Sequence, residues 1–298
     1  MDKILSIIDF DGMLYHSTRD TLEESIEALK DKLQNCLDKT GCTHWAGFVG
    51  KGKTFRHNIS PDYKANRTGK PPKYLSALKE WAIAEYNLNV CIGYEADDAV
   101  GYFYSIPEFT RLVGHSEIEC VPDEIFNKDT IKILCSPDKD ILKGFVGKHF
   151  DYTYRITDEA KGRRKISSDY VYSEEDTIKG NWVETSPEDV ENNLKYSMIA
   201  GDSADGIKGL PGKGIKYWEK AIENEDCDLW FNFMGHYIKQ YPHIPTSVFE
   251  FQKNFRLLYI LRTPEDFIRE VGKVPDYPNI TEVVRDSQIE DIEIKDNF

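Results

Sequence analysis

The sequence has no apolar run near the roughly 18 residues that a membrane-spanning helix requires. It also lacks a basic-then-apolar leader, since "MDKILSIID" passes straight into a strand-like run. Neither a membrane span nor export is expected, and the chain reads as intracellular. Cysteine is sparse and unpatterned. Cys36, Cys42, Cys91, Cys120, Cys135 and Cys227 form no C-x-x-C pair and have no companion His spacing, which argues against both a disulfide framework and a zinc site and leaves buried thiols. Positive charge is also short: 38 Lys and Arg stand against 52 Asp and Glu, a net charge of −14. That is the wrong sign for a protein that binds nucleic acid by neutralising phosphates. Net charge, however, averages over a whole surface. Residues 51–73 carry Lys51, Lys53, Arg56, Lys64, Arg67, Lys70 and Lys73 against Asp62 alone, and "KGRRK" at 161–165 forms a second basic cluster.

With 298 residues, 40% of them hydrophobic and 12% aromatic, the chain suits one large or two modest domains with a real core. Short β-branched runs recur at 3–8, 43–49, 89–93 and 131–135. Between the first two, Leu22, Ile26, Leu29, Leu33 and Cys36 repeat at helical spacing. Strands alternating with helices predict an α/β fold, a mainly parallel central sheet with helices on both faces. Residues 151–184 alternate Tyr, Ile and Val with polar residues around a Lys-Gly turn and read as a hairpin. From Ser186, an N-cap followed by Pro187, the pattern is helical to about 270. The expected division is a core at 1–185 with a basic region at about 51–86, a helical region at 186–278, and a flexible acidic tail at 279–298.

In a parallel sheet, ligands gather at the carboxyl ends of the strands. Acidic residues follow several of these runs: Asp9 in "IIDFDGML", Glu95, Asp97 and Asp98 in "GYEADDAV", and Asp138 and Asp140 in "SPDKD". Asp202 and Asp205 follow later in "GDSADG". Asp138 and Asp140, two apart in an extended segment, would face the same way. Glu95 and Asp98, three apart at a helix start, would share a face with Asp97 beside them. Each acid taken singly reads as a cap or turn residue. Packed together they repel, and such a cluster persists when cations neutralise it. All-oxygen ligands select Mg²⁺ or Mn²⁺. Two such ions serve phosphodiester hydrolysis.

A phosphatase of the haloacid dehalogenase type would also use Asp9, Asp11 and "GDSADG", with Lys179 or Lys195 as its lysine. It leaves "EADD", "SPDKD" and the stretch after Asp205 without a role. That stretch, "GIKGLPGKGIKYWEKAI", places Gly209, Gly212, Lys213 and Gly214 in a turn ahead of a helix, so that backbone N–H groups can meet a phosphate without reading bases. Lys64 and Arg67, three apart at what reads as a helix start, can reach one phosphate, Arg as a bidentate fork and Lys as a mobile charge. Tyr63 beside them can stack a base or serve in ordinary packing.

Together "IIDFDG", "FRHNISPDYKANR", "GYEADDA", "SPDKD" and "GDSADGIKGLPGKG", in this order, resemble the 5′ nucleases, the flap endonucleases and 5′→3′ exonucleases of phages and of the DNA polymerase I amino-terminal domain. The phage branch that removes RNA primers is the nearest in length. The resemblance implies a PIN-like core and two Mg²⁺ or Mn²⁺ ions held by Asp9, Glu95, Asp97, Asp98, Asp138, Asp140, Asp202 and Asp205. It implies catalytic phosphate contacts from Lys64 and Arg67, and nucleic-acid contacts along Lys51, Lys53, Arg56, Tyr63, Lys70 and Lys73. It further implies a helical arch near 65–86 passing the 5′ end, and a helix-hairpin-helix at about 198–223 with K⁺ near 206–215. The expected partner is DNA with a 5′ flap or 5′ end, or an RNA–DNA hybrid, cut during replication by a cytoplasmic monomer in a bacterial or phage-infected cell. One departure stands out. "AGFVGKGKTFR" has no acid where the family carries an Asp after its second strand, so Asp11 is a candidate substitute ligand. A catalytically impaired protein that only binds branched DNA is the corresponding alternative.

Overall fold

The computed structural model describes residues 2–113, 117–153, 156–158, 163–165, 181–223 and 230–284. The chain begins as alternating strands and helices. Strand β1 (Ile4–Asp9) leads into α1 (Phe10–Ser17) and α2 (Leu22–Thr40); β2 (His44–Thr54) leads into α3 (Phe55–Ile59) and α4 (Leu75–Tyr86); β3 (Asn89–Gly93) leads into α5 (Ala96–Ser105). An antiparallel pair, β4 (Thr110–Val113) and β5 (Glu117–Cys120), precedes β6 (Ile131–Cys135), the short α6 (Lys139–Leu142) and β7 (Gly147–Asp151). A small pair, β8 (Ile156–Asp158) with β9 (Arg163–Lys165), is followed by β10 (Asn181–Thr185), so the predicted hairpin contains two-stranded pairing and its far end rejoins the main sheet.

Among the described residues five helices follow, α7 (Pro187–Ala200), α8 (Ile215–Glu223), α9 (Trp230–Gln240), α10 (Ile244–Leu258) and α11 (Pro264–Val271). The two-residue strands β11 (Gly201–Asp202) and β12 (Ile207–Lys208) sit between α7 and α8, and β13 (Thr281–Glu282) comes last. The main sheet runs β10-β7-β6-β1-β2-β13, with β3 on the far half of β2. Contacts among β1, β2, β3, β6 and β7 are parallel, and the edge strands β10 and β13 are antiparallel. The expected α/β class is the observed one: a mostly parallel sheet flanked by helices.

Local chemistry explains the elements that frame the site. Helix α2 starts at a capping box between Thr21 and Glu24 and stops at Gly41 in the left-handed region. Its stripe packs Leu29, Leu33 and Cys36 onto one face of the sheet with Phe10, Trp45 and Leu78. The other face holds Phe48, Val100, Tyr102 and Phe103 of the central elements. Leu261 and Phe267, far along the chain, belong to this same cluster. The helical region from 186 therefore does not stand apart. Helices α7 to α10 build their own core around Met198, Trp218 and Phe233, after which the chain returns to the sheet. The tail expected to be flexible from 279 also starts bound: Thr281 and Glu282 pair with Trp45 and His44, and Val283 N–H donates to Thr43 O at 2.9 Å. Residues 285–298 lie outside the described part.

Cys36, Cys42, Cys91 and Cys135 are buried thiols, Cys120 is exposed, and Cys227 lies outside the described residues. Among the described residues no helix is long and apolar enough to cross a membrane.

One buried ion pair joins three distant segments. Arg56, at the start of α3, donates through both Nη atoms to the Asp98 carboxylate of α5, at 2.6 and 2.8 Å. Its Nε and Nη2 also donate to the carbonyls of Leu257 and Tyr259, at 3.0 and 2.8 Å. Asp98 in turn accepts from the N–H groups of Glu95 and Leu261. Replacing Arg56 with Met leaves this carboxylate buried without its counter-charge, at an expected cost of about 3–5 kcal/mol. The double variant Arg56→Met/Asp98→Asn should recover part of that loss in urea titrations, and a double variant as unstable as the single one would contradict the assignment.

Candidate active site

The acidic side chains sit where the parallel strands end. Asp9 closes β1 and caps α1, with its Oδ1 accepting from Asp11 N–H at 3.0 Å and its Oδ2 from Ser136 Oγ at 3.0 Å. Asp138 follows β6, caps α6 and accepts from Asp140 N–H at 2.7 Å. Glu95 is the N-cap residue of α5, and Asp97 lies in that helix's first turn. Asp202 folds over its own turn, accepting from Ala204 N–H. Two adjoining cavities, of about 640 and 80 Å³, share Glu95, Asp97 and Asp138 in their walls. Asp9 and Asp11 line the larger one, and Asp140, Asp202 and Asp205 the smaller.

Cations are interleaved with these acids. Lys64 Nζ donates to Glu95 at 2.6 Å and lies 3.7 Å from Asp205, while Arg67 donates to Asp205. Lys139 lies 3.8 Å from Asp140 and 3.6 Å from Asp202. Among the described residues no three of His, Cys, Asp and Glu gather closely enough to enclose an ion as they stand. Several carboxylates face these lysine and arginine side chains instead. Lys64 and Arg67 are not on a helix, contrary to the sequence reading. They lie in successive turns, Lys64 in the left-handed region at φ 56°, its N–H donating to Asp205 O at 2.7 Å.

Burial, and then the Asp11 and Asp138 carboxylates, push Asp9 up to about 7. Burial and Asp138 push Asp140 up to about 7 as well, and burial with Asp9 and Asp138 holds Asp97 well above the usual carboxylate range. Burial acts on Glu95 in the same sense, but Arg56 and Lys64 outweigh it and hold that carboxyl below its ordinary value. The wall is thus divided into a repulsive carboxylate group and a neutralised one.

Several expectations are corrected. Asp98 lines neither cavity, because it is fully buried against Arg56; the pair facing the cavity is Glu95 and Asp97. Arg56, expected on the nucleic-acid surface, is the buried half of that pair. Of the two readings of Tyr63 the packed one fits: it is buried, and its hydroxyl donates to Glu95 and Asp205. Asp138 and Asp140 are not in an extended segment, since Asp140 lies in the first turn of α6, yet both line the smaller cavity. Lys51, Lys53, Lys70 and Lys73 are exposed, and the side chains of 161–165 lie outside the described residues.

Asp11 is not on the strand, which ends at Asp9. Its Oδ2 accepts from Gly50 N–H at 2.8 Å and its Oδ1 from Lys79 Nζ at 2.8 Å. A Cβ on Gly50 would come within 2.9 Å of that Oδ2, so the Asp11 carboxylate occupies the space beside the position that lacks an acid. The phosphatase reading loses a candidate lysine, because Lys195 is buried in α7 against Glu191, and Lys179 lies outside the described residues. The connection from α7 to α8 differs from the expected tight turn. Its first half is the β11–β12 ladder, and Gly209 is required because a Cβ there would meet Ile199 O at 2.1 Å, a packing reason rather than a phosphate contact. Ser136, Lys79 and Lys139 escaped the sequence reading, and of these only Lys139 carries a local signal, standing between two acids.

No family model matches the chain. The crystal structure of a bacteriophage T5 flap endonuclease variant with DNA and metal ions superposes at a TM-score of 0.56, covering 87% of this chain and 89% of that one at 18% identity. A T5 5′-exonuclease mutant gives 0.50 over 91% and 92%, also at 18% identity. The chain has the 5′ nuclease fold. Within that fold, the acid-lined cavities lie at the carboxyl ends of β1 and β6. In sequence, the chain is 26% identical over 180 residues to DNA polymerase I of Caldicellulosiruptor bescii. That stretch is 59% of this chain and 18% of the polymerase, so the chain matches only a small part of that protein's length.

The raised Asp9 value has a consequence for stability. Its folded value, about 7, lies above its ordinary 3.8, so the folded state holds the extra proton between them; stability falls as pH rises through that interval and stays lost above it. In chelator at pH 8, Asp9→Asn should raise Tm by about 2–6 °C, and the gain should shrink toward zero at pH 4. A gain that does not change with pH would show that the buried charge is not its source.

Proposed function

We propose that the chain is a divalent-metal-dependent 5′ nuclease that hydrolyses phosphodiesters at 5′ flaps and 5′ ends during DNA replication. One observation carries this reading. Asp9, Glu95, Asp97, Asp138, Asp140, Asp202 and Asp205, from four separate stretches of chain, line two adjoining cavities with Lys64 and Arg67 between them. The fold supports it, and so does the T5 flap endonuclease, whose structure was solved with DNA and metal ions.

The donor set fits hard cations. It is all oxygen, and burial with mutual repulsion holds Asp9, Asp97 and Asp140 above their ordinary values, which bound positive charge would relieve. Asp9, Glu95, Asp97, Asp138, Asp140, Asp202 and Asp205 would hold the ions, and Asp11 lines the larger cavity with Asp9. When bound, divalent cations activate the attacking water and stabilise the leaving oxygen.

The chain's own groups do the rest. Lys64 and Arg67, held at the cavity by Glu95 and Asp205, exchange those carboxylates for phosphate oxygens. Lys64 offsets developing negative charge and Arg67 orients the group with its fork. Tyr63 anchors Glu95 and Asp205 from beneath. The exposed Lys51, Lys53, Lys70 and Lys73 supply sequence-independent attraction to the strand, which makes binding steeply salt-dependent. Potassium near 206–215 rests on the resemblance alone.

A labelled 5′-flap oligonucleotide with Mg²⁺, run beside an RNA–DNA hybrid and p-nitrophenyl phosphate, tests the reading. Products near the flap junction that vanish with chelator support it. Ester hydrolysis alone points to a phosphatase, and a gel shift without products to a branched-DNA binder. Asp138→Asn with Asp140→Asn should abolish cutting and retain flap binding, whereas undiminished turnover would contradict their roles. Lys64→Ala should lower kcat by on the order of 10²-fold with little change in binding. Asp11→Asn should shift the Mg²⁺ titration, and an unchanged titration would remove Asp11 from the site.

A further inference from the structure

Among the described residues, the cations that line the acid-lined cavities have carboxylate partners except the exposed Lys51 and the partly buried Arg262. Lys64 faces Glu95, Arg67 faces Asp205, Lys139 faces Asp140 and Asp202, Lys79 faces Asp11, and Arg56 is locked to Asp98. Arg262 lines the smaller cavity, whose walls also hold Asp140, Asp202 and Arg67. Among the described residues its guanidinium has no hydrogen-bond or ion-pair partner, and its Nε is buried without one. A buried donor left unpaired is costly, and more so when charged, so its persistence calls for a reason.

The group is held firmly in place. Its guanidinium carbon lies 4.7 Å from the Phe145 ring centroid and 5.1 Å from that of Tyr259, so two aromatic faces fix it by cation–π contact. Its backbone N–H donates to Asp266 Oδ2 at 3.1 Å. The preceding residue, Leu261, is tied through its N–H to Asp98, and Tyr259 through its carbonyl to Arg56. The fork is thereby anchored to the element that carries Glu95 and Asp97. Burial holds Arg262 below its ordinary value, but a guanidinium stays protonated throughout the working range.

We infer that Arg262 is a phosphate clamp: its free donors take the non-bridging oxygens of a backbone phosphodiester of the bound strand, next to the phosphate that sits against the acids. A planar fork with several donors matches a phosphate bidentately. The aromatic faces orient that fork without competing for its donors, as a carboxylate would. This inference rests on the nuclease reading and adds to it a contact from the far helical region, about 200 residues along the chain from Lys64 and Arg67.

The test is a salt titration of 5′-flap DNA binding by fluorescence anisotropy in Ca²⁺, with wild type, Arg262→Met and Arg262→Lys. Met keeps a stem to pack on the rings and removes the charge, and Lys keeps the charge without the fork. Arg262→Met should bind roughly tenfold more weakly at moderate salt and make the slope of log K against log salt shallower by about 0.7–0.9, whereas Arg262→Lys should keep the wild-type slope. Replacing phosphates one at a time by methylphosphonate should weaken wild type at one position where the Met variant is indifferent. If Arg262→Met does not fold, Arg262→Gln carries the same comparison. A neutral variant with wild-type slope and affinity overturns the inference while leaving a cutting wild type as a nuclease. A lower Tm with an unchanged slope also overturns it, because that is the signature of ring packing alone. A wild type that neither binds nor cuts flap DNA overturns the nuclease reading and the clamp together.

Discussion

The arrangement depends on the ion pair between Arg56 and Asp98. Both partners are almost completely excluded from solvent, and the guanidinium is satisfied by a carboxylate and two backbone carbonyls. A pair of this kind contributes little net stability by itself, since desolvating two charges offsets their attraction. What it contributes is placement. Arg56 lies just past the end of β2, Asp98 in the first turn of α5, and the accepting carbonyls of Leu257 and Tyr259 at the C-terminal end of α10. Fixing these three fixes where Glu95 and Asp97 face, and where the chain re-enters the sheet core with Leu261 and Phe267.

The same pair shows how far the sequence could be read. Periodicity and strand-end acids led to the α/β class, the parallel sheet and the set of carboxylates around the cavities, because those signals are local. The placements of Arg56, Tyr63 and Asp98 were not legible locally, for one reason. In "FRHNISPDYKANR" an arginine between exposed lysines reads as part of a basic surface, and nothing nearby shows that its partner lies 42 residues on. Tyr63 reads as an aromatic beside cations, when its hydroxyl in fact meets Asp205 across 142 residues. Sequence spacing places Glu95 and Asp98 on one helix face, but Glu95 is the cap of that helix and Asp98 is buried against Arg56.

The site carries charge at a cost to stability. Asp9, Asp97 and Asp140 are crowded enough to hold protons to unusually high pH, while Lys64, Arg67 and Lys139 bridge the remaining carboxylates. The left-handed backbone at Lys64 belongs to the same economy, since the turn that strains it also sets its N–H on Asp205 O. Such a surface favours positive charge from outside.

The last strand of the sheet and part of its core come from the far end of the chain. Thr281 and Glu282 close an edge begun at His44, and Phe267 and Val274 complete packing around β1. Contacts of such long sequence separation form slowly. A ribosome that has released only the first two hundred residues therefore exposes a half-covered sheet and acids without their anchoring segment. Glu95, Asp97 and Asp98 thus take their final setting only once the stretch from Leu257 to Leu261 has folded back onto Arg56 and α5.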